Sequence, residues 1–250
     1  MKAALIQITA SDDPAANLAV TQGFIADAAA EGAEFILTPE VTHCVSASRT
    51  RQKEVLRREE EDESLPAFRA QAKELGVWLL IGSLAVKTDD ADGRFANRSF
   101  LIGPDGEIAA RYDKIHMFDV EVSPEETYRE SAGYRPGDRA VVADTAFGRV
   151  GLSICYDIRF PRLYLALAEA GARILTVPAA FSPVTGKAPW ETLLRARAIE
   201  TGCFVLAPAQ TGPHDAHSRY WVRRRRRGER VKRRTLEKKD GEWGRRGGLR

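Results

Sequence analysis

Cysteine is scarce in these 250 residues. Cys44, Cys155 and Cys203 are widely spaced, odd in number and free of any C-x-x-C pair, which excludes a disulfide framework and leaves no zinc signature. No stretch approaches the roughly 20 consecutive apolar residues that a membrane-spanning helix requires. The first residues, Met1-Lys2-Ala3-Ala4-Leu5-Ile6, run directly into a strand-like segment without the pattern of a secretory leader. A soluble protein of the reducing cytoplasm is expected.

What is present supports a sizeable core. With 44% hydrophobic residues, the chain is long enough for one α/β domain. Its net charge of +3 conceals an asymmetry: residues 221–250 carry 14 Lys/Arg against 4 Asp/Glu, whereas residues 1–220 carry 24 against 31. The final 30 residues hold few hydrophobic positions and no period, so they are expected to be a mostly disordered basic tail that cannot offset its ordering entropy. The expected organisation is therefore a domain over 1–220 followed by this tail. One reading gives the Arg-rich segment Arg223-Arg224-Arg225-Arg226-Arg227 a polyanion-binding role, toward nucleic acid or an anionic membrane, on a folded but catalytically impaired chain. Clustered arginine supports that reading only generically, and no specific nucleic-acid or membrane partner is expected.

In chain order, Lys2 to Thr9 reads as a strand. A helix follows from Asp13-Pro14 to about Glu31, with Gly32 as its stop. Phe35-Ile36-Leu37 reads as a buried strand ending in Thr38-Pro39-Glu40. A carboxylate just beyond a parallel strand can face a ligand, since open α/β sheets bind there; it can equally be a solvated loop residue. Glu59-Glu60-Glu61-Asp62-Glu63 reads as an acidic surface. A helix is expected over 66–75, a strand over 77–81, and a hairpin around Gly103-Pro104-Asp105-Gly106. From Asp113 to Gly137 a long loop is expected, of the kind that usually carries function. A strand pair flanks Phe147-Gly148. The segments 31–39 and 170–178 echo one another, each a helix stop followed by a buried strand and a proline, which suggests a repeated α/β plan.

The most informative stretch is Val150 to Pro161. Val150, Leu152 and Ile154 alternate with small residues as in a buried strand, and Phe160-Pro161 suits a helix start. Cys155 falls at the elbow between them. There it is either one more small buried hydrophobe or a nucleophile whose thiolate a helix N-terminus favours. His116 is expected to make a structural hydrogen bond, and His214-x-x-His217 is a weak metal pair without a nearby cysteine. Cys44 and Cys203 read as buried thiols.

Three stretches, Thr38-Pro39-Glu40, Tyr112-Asp113-Lys114-Ile115-His116 and Cys155-Tyr156-Asp157-Ile158-Arg159-Phe160-Pro161, together resemble the Glu, Lys and Cys signatures of the nitrilase, or carbon-nitrogen hydrolase, superfamily. Tyr128-Arg129-Glu130-Ser131 matches the position of a second glutamate, and Ala180-Phe181 through Trp190 to Glu200 extends the likeness. The resemblance implies an αββα four-layer sandwich that pairs through its helices into a homodimer when the fold is complete, with neither cofactor nor metal. It implies hydrolysis of a small-molecule amide by a cysteine, Cys155, with Glu40 as base, Lys114 as oxyanion stabiliser and Glu130 orienting Lys114 or the substrate. Tyr156, Arg159 and Phe181 are the expected substrate contacts. Arg159 is suited to a substrate carboxylate, or alternatively to an ion pair with Asp157. Within the superfamily the likeness is to small-acid amidases, including deaminated-glutathione amidase and omega-amidase. Two departures stand out: Pro189 replaces a histidine, and the likeness ends near Tyr220, where an incomplete C-terminal portion from an altered reading frame explains the abrupt change better than selection for a new role.

Overall fold

The computed structural model describes residues 1–123, 126–181, 189–214, 218–219, 235–239 and 242–245. The first sheet is built from β1 (Ala3–Leu5), β2 (Phe35–Leu37), β3 (Trp78–Lys87), β4 (Phe95–Ile102) and β5 (Ile108–Asp113), adjacent in that order. β1, β2 and β3 run parallel; β3, β4 and β5 form an antiparallel meander. Helices α1 (Pro14–Ala30), α2 (Arg49–Val55) and α3 (Ser64–Leu75) occupy the connections. Asp13 caps α1 by accepting from the amides of Ala15 and Ala16, and Gly76 closes α3 in the left-handed conformation that only glycine adopts freely.

The segment expected as a long loop after β5 is more ordered than its composition implies. It folds into a hairpin of β6 (Asp119–Ser123) and β7 (Glu126–Arg129), a single 3₁₀ turn over Glu130–Ala132, and β8 (Tyr134–Arg135), which pairs with β4. These strands are short and lack a buried alternating face, so periodicity does not reveal them.

The second sheet contains β9 (Val141–Thr145), β10 (Gly148–Leu152), β11 (Ile174–Thr176) and β12 (Phe204–Leu206), adjacent in that order. Helices α4 (Pro161–Glu169) and α5 (Pro189–Thr201) accompany it. The short pair β13 (Pro213–His214) and β14 (Ser218–Arg219) follows. Most of the basic tail, including Arg223 to Arg227, lies outside the described residues, as do His217 and residues 182–188. Within the tail, β15 (Thr235–Lys239) and β16 (Glu242–Arg245) form a hairpin that joins the first sheet beside β1.

Alternation along the strands produces the layers. Phe35, Leu37, Leu80 and Leu101 share a core with Val150, Leu152, Ile174 and Leu206 of the second sheet. Their neighbours Ile36, Leu79, Ile81, Phe100 and Ile102 instead pack against Ile25 of α1 and Phe68 of α3. A period of two along each strand thus assigns one face to the opposing sheet and the other to helices, which is the αββα sandwich. The echo seen in sequence is repeated in space: β2 and β11 are both parallel strands with a partner on each side, both follow a glycine of positive φ (Gly32, Gly171), and both lead into a proline.

The acidic run departs from a simple solvated surface. Glu59 bridges Arg98 and Arg111, and Asp62 is buried, accepting from the amides at the start of α3.

Candidate active site

Four chain segments converge at one end of the two sheets. Glu40 follows β2 by three residues, Lys114 follows β5 directly, Glu130 opens the turn after β7, and Cys155 follows β10. They line a single cavity of about 540 Å³ together with Asn97, Phe118, Tyr128, Arg129, Tyr134, Tyr156 and Phe181. That volume suits a small organic molecule.

The electrostatics begin with Lys114, which is only 2% exposed. Its Nζ donates to Glu40 Oε1 at 3.0 Å and to both Glu130 oxygens at 2.9 Å. Burial alone would depress the ammonium, but the carboxylates of Glu130 and Glu40 more than compensate and hold its pKa well above the ordinary lysine value. Glu130 is itself held by the amide of Phe118, 2.6 Å from Oε2.

Glu40 is fully engaged. Oε1 also accepts from Asn97 Nδ2 at 2.9 Å, and Oε2 accepts from the amide of Ala180 at 2.7 Å. The thiol of Cys155 lines the same cavity, near enough to Glu40 to feel that carboxylate. Burial first, and then the adjacent Glu40 charge, push the thiol well above its usual pKa, although Lys114 pulls the other way. Two carboxylates and one ammonium already sum to a net negative charge, so a resting thiolate would add a second uncompensated anion. The site holds a protonated thiol beside a carboxylate able to take its proton.

The backbone at Cys155 is as unusual as its surroundings. Its φ is +50°, rare for a residue with a side chain, and its amide donates to Pro178 O at 2.9 Å. The elbow inferred from sequence is present, but Cys155–Arg159 forms a 3₁₀ turn before α4 begins at Pro161. Buried Arg197 of α5 donates to Ile158 O at 3.0 Å and so braces that turn from the helical layer.

Each residue singled out in sequence can now be placed. Glu40, Lys114, Glu130 and Cys155 come together, and Tyr156 and Phe181 line the same cavity. Arg159 does not: it is exposed on the turn and absent from the cavity lining, because the 3₁₀ geometry carries it outward. His116 makes the structural contact expected of it, Nδ1 lying 2.7 Å from Asp157 Oδ1 with the ring stacked on Phe160. Cys44 and Cys203 are buried. Sequence reading missed Asn97, Asp157 and Arg129. Asn97 sits inside an apolar strand with no motif around it, and Asp157 reads as part of the cysteine signature without a role of its own. Among the described residues no cluster of His, Cys, Asp and Glu is placed to hold a metal ion, and none of their helices is long and apolar enough to cross a membrane.

Comparison with known proteins shows the family. The carbon-nitrogen hydrolase family model matches residues 2–223. Deaminated glutathione amidase of Yersinia enterocolitica is 41% identical over 219 residues, covering 87% of this chain and 76% of that protein. The human protein of the same name is 38% identical over 216 residues, covering 84% and 65%. Among solved structures, the Caenorhabditis elegans NitFhit protein superposes with a TM-score of 0.81 at 35% identity, over 88% of this chain and 53% of that one. An amidase from Nesterenkonia gives a TM-score of 0.72 at 28% identity, over 86% and 77%, and a variant of it has been solved with acrylamide added at its active-site cysteine. The chain therefore belongs to the carbon-nitrogen hydrolase family and is a hydrolase of carbon–nitrogen bonds.

Proposed function

We propose that the chain hydrolyses a linear amide of a small carboxylate-bearing acid through an acyl-enzyme on Cys155, releasing ammonia. The observation that carries this reading is one cavity that holds the Cys155 thiol and a Glu40 carboxylate that receives Lys114. Glu40 accepts the thiol proton as Sγ bonds to the amide carbon, and the carbonyl π pair moves to oxygen. Lys114 and the amide of Tyr156 stabilise that oxyanion in the water-poor cavity. Collapse re-forms the carbonyl and breaks the C–N bond; nitrogen leaves as ammonia with the proton from Glu40. Water then attacks the thioester, Glu40 takes its proton, and the departing sulfur regains it as the acid is released. Glu130 holds Lys114 in place by two hydrogen bonds.

The substrate class follows from the relatives' names and from the cation at the cavity. Arg129 lines the cavity, whereas Arg159 stands outside it; a guanidinium binds a carboxylate through two parallel hydrogen bonds. Incubation with a panel of ω-amides should release ammonia, and Arg129→Ala should raise KM for the carboxylate-bearing members more than Arg159→Ala does. Ammonia release that persists in Cys155→Ala would overturn the mechanism. Apolar side chains exposed on the helical layer, Leu165 and Ile199, support assembly as a homodimer through α4 and α5; a monomer in sedimentation would oppose it.

A further inference from the structure

Gln210 is fully buried and belongs to none of the four catalytic segments, lying just beyond β12. The two ends of its amide have opposite tasks. Oε1 accepts from the amide of Ala10 at 3.1 Å, while Nε2 donates to Glu40 O at 3.0 Å and lies 3.5 Å from Val41 O. A carbonyl oxygen only accepts and a peptide N–H only donates, so these partners fix which end of the side chain faces the glutamate.

The turn that Gln210 grips is strained. Val41 has a φ of +48°, and a β-branched residue at positive φ is an outlier. Such a conformation persists only where its surroundings over-determine it. Two buried side chains contribute here. Ser83 Oγ, on β3, accepts from the Val41 amide at 2.8 Å, and Gln210 Nε2 faces the carbonyls of Glu40 and Val41. Ser83 ties the turn to its own sheet, whereas Gln210 ties it to the second.

That second tie leads to the nucleophile. Pro178 O accepts from the amide of Cys155 at 2.9 Å, Ala179 O accepts from the amide of Gln210 at 2.8 Å, and the Ala180 amide donates to Glu40 Oε2 at 2.7 Å. Three consecutive residues beyond β11 therefore hold the thiol residue, Gln210 and the carboxylate. Glu40 extends from the first sheet and Cys155 from the second, so their separation depends on ties across the sandwich.

We propose that Gln210 is a positioning residue for the general base: it holds the Glu40–Val41 peptide in its strained turn and so registers Glu40 against Cys155 through residues 178–180. The inference rests on the proposed role of Glu40 in amide hydrolysis. Without Nε2, Glu40 O loses a buried donor and Val41 is released toward negative φ. That relaxation swings the carboxylate relative to the thiol and leaves Phe118, Tyr156 and Phe181 on the cavity wall in place. Turnover should therefore suffer while substrate binding does not.

The test is steady-state ammonia release from a primary amide by wild type and Gln210→Met, the latter with and without Val41→Gly. Methionine keeps the length of the side chain and removes its donor. Glycine adopts positive φ without steric cost, so a chain with Val41→Gly depends less on the brace. The expected result is that kcat per folded molecule falls about tenfold or more in Gln210→Met with KM within about twofold of wild type, and that adding Val41→Gly recovers most of the loss. If Gln210 serves only the fold, Gln210→Met lowers the melting temperature and leaves kcat per folded molecule unchanged, which overturns the proposal. A loss of kcat that Val41→Gly does not relieve overturns it as well. Should Gln210→Met fail to fold, Gln210→Asn, which keeps the amide but is one methylene short of the turn, carries the same comparison. Failure of the underlying reading looks different: wild type then releases no ammonia from any amide, or Cys155→Ala remains active.

Discussion

The Tyr112 hydroxyl donates to Asp157 Oδ2 at 2.7 Å, and this contact joins the strand that carries Lys114 to the turn that carries Cys155. Asp157 is fully buried and accepts three more donors: the amide of Ile154 at 2.8 Å, the amide of His116 at 3.0 Å, and His116 Nδ1 at 2.7 Å. Three of its four donors come from Tyr112 and His116, on either side of Lys114 in sequence, and the fourth from Ile154, one residue before Cys155. The carboxylate thus sets the spacing of the cation and the thiol without touching either. Burial, reinforced by the Asp157 charge, raises the Tyr112 phenol well above its usual pKa, so it remains a donor.

Asp157→Asn places an NH₂ group among these donors and leaves at least one of them unpaired. A loss of about 2–4 kcal/mol of stability is expected, with a fall in kcat as Lys114 and Cys155 separate. Urea denaturation and steady-state kinetics check both; an unchanged kcat would remove Asp157 from the positioning role.

Gly82 lies where β3 shifts register against β4, between Ile81 and Leu84. A Cβ there would sit 2.2 Å from Thr38 O and 2.4 Å from Pro39 O, the backbone leading into Glu40. Gly82→Ala should cost about 1–3 kcal/mol or more, as overpacking does, and should reduce turnover by displacing Glu40. Activity per folded molecule, measured beside thermal stability, separates the two effects.

Cys155 and Lys114 both have raised folded-state pKa values. Each binds its proton more tightly folded than unfolded, so their contribution to stability is complete below the unfolded pKa and declines as pH rises. For a thiol that decline starts near pH 8.5–9, and the lysine adds to it above about pH 10.4. Cys155→Ala should flatten the first part of this loss in denaturation curves taken from pH 8 to 10. The difference in thiolate absorbance between wild type and Cys155→Ala should be negligible at pH 7.5.

Burial holds the His43 imidazole below its usual pKa, against the attraction of Asp62 with Oδ2 3.9 Å from Nε2. The unfolded chain then binds the proton more readily, so stability is complete above about pH 6.5 and is lost as pH falls. His43→Leu should lessen the drop in melting temperature between pH 6.5 and 5. An acid profile identical to wild type would assign that sensitivity to other groups.

The elements of the αββα plan were readable because they depend on local patterns, while the plan itself was what the family resemblance implied. The alternation in Phe35–Leu37 and Val150–Leu152, the Asp13 cap and the Gly76 stop each act over a few residues, and hydrophobic burial assembles them in few ways. Glu40, Lys114, Glu130 and Cys155 were singled out because each stands in a run that resembles the superfamily's signatures, and the fold brings them to one cavity. Other features depend on contacts between distant segments. Asn97 matters because Glu40, 57 residues earlier, folds against it, and Asp157 because Tyr112 and His116 arrive from another strand. Arg159 was chosen for its chemistry, which composition can supply, but its direction depends on the 3₁₀ turn.

By itself, then, the order of residues determined which groups are available and which strands bury which face, since side-chain type and period are local properties. Tertiary structure alone decided that the thiol rests protonated near Glu40, that Lys114 is held between two carboxylates, and that one asparagine oxygen next to them is buried without a donor among the described residues. Those are electrostatic and hydrogen-bonding outcomes of burial and distance, and neither exists until the two sheets close on each other.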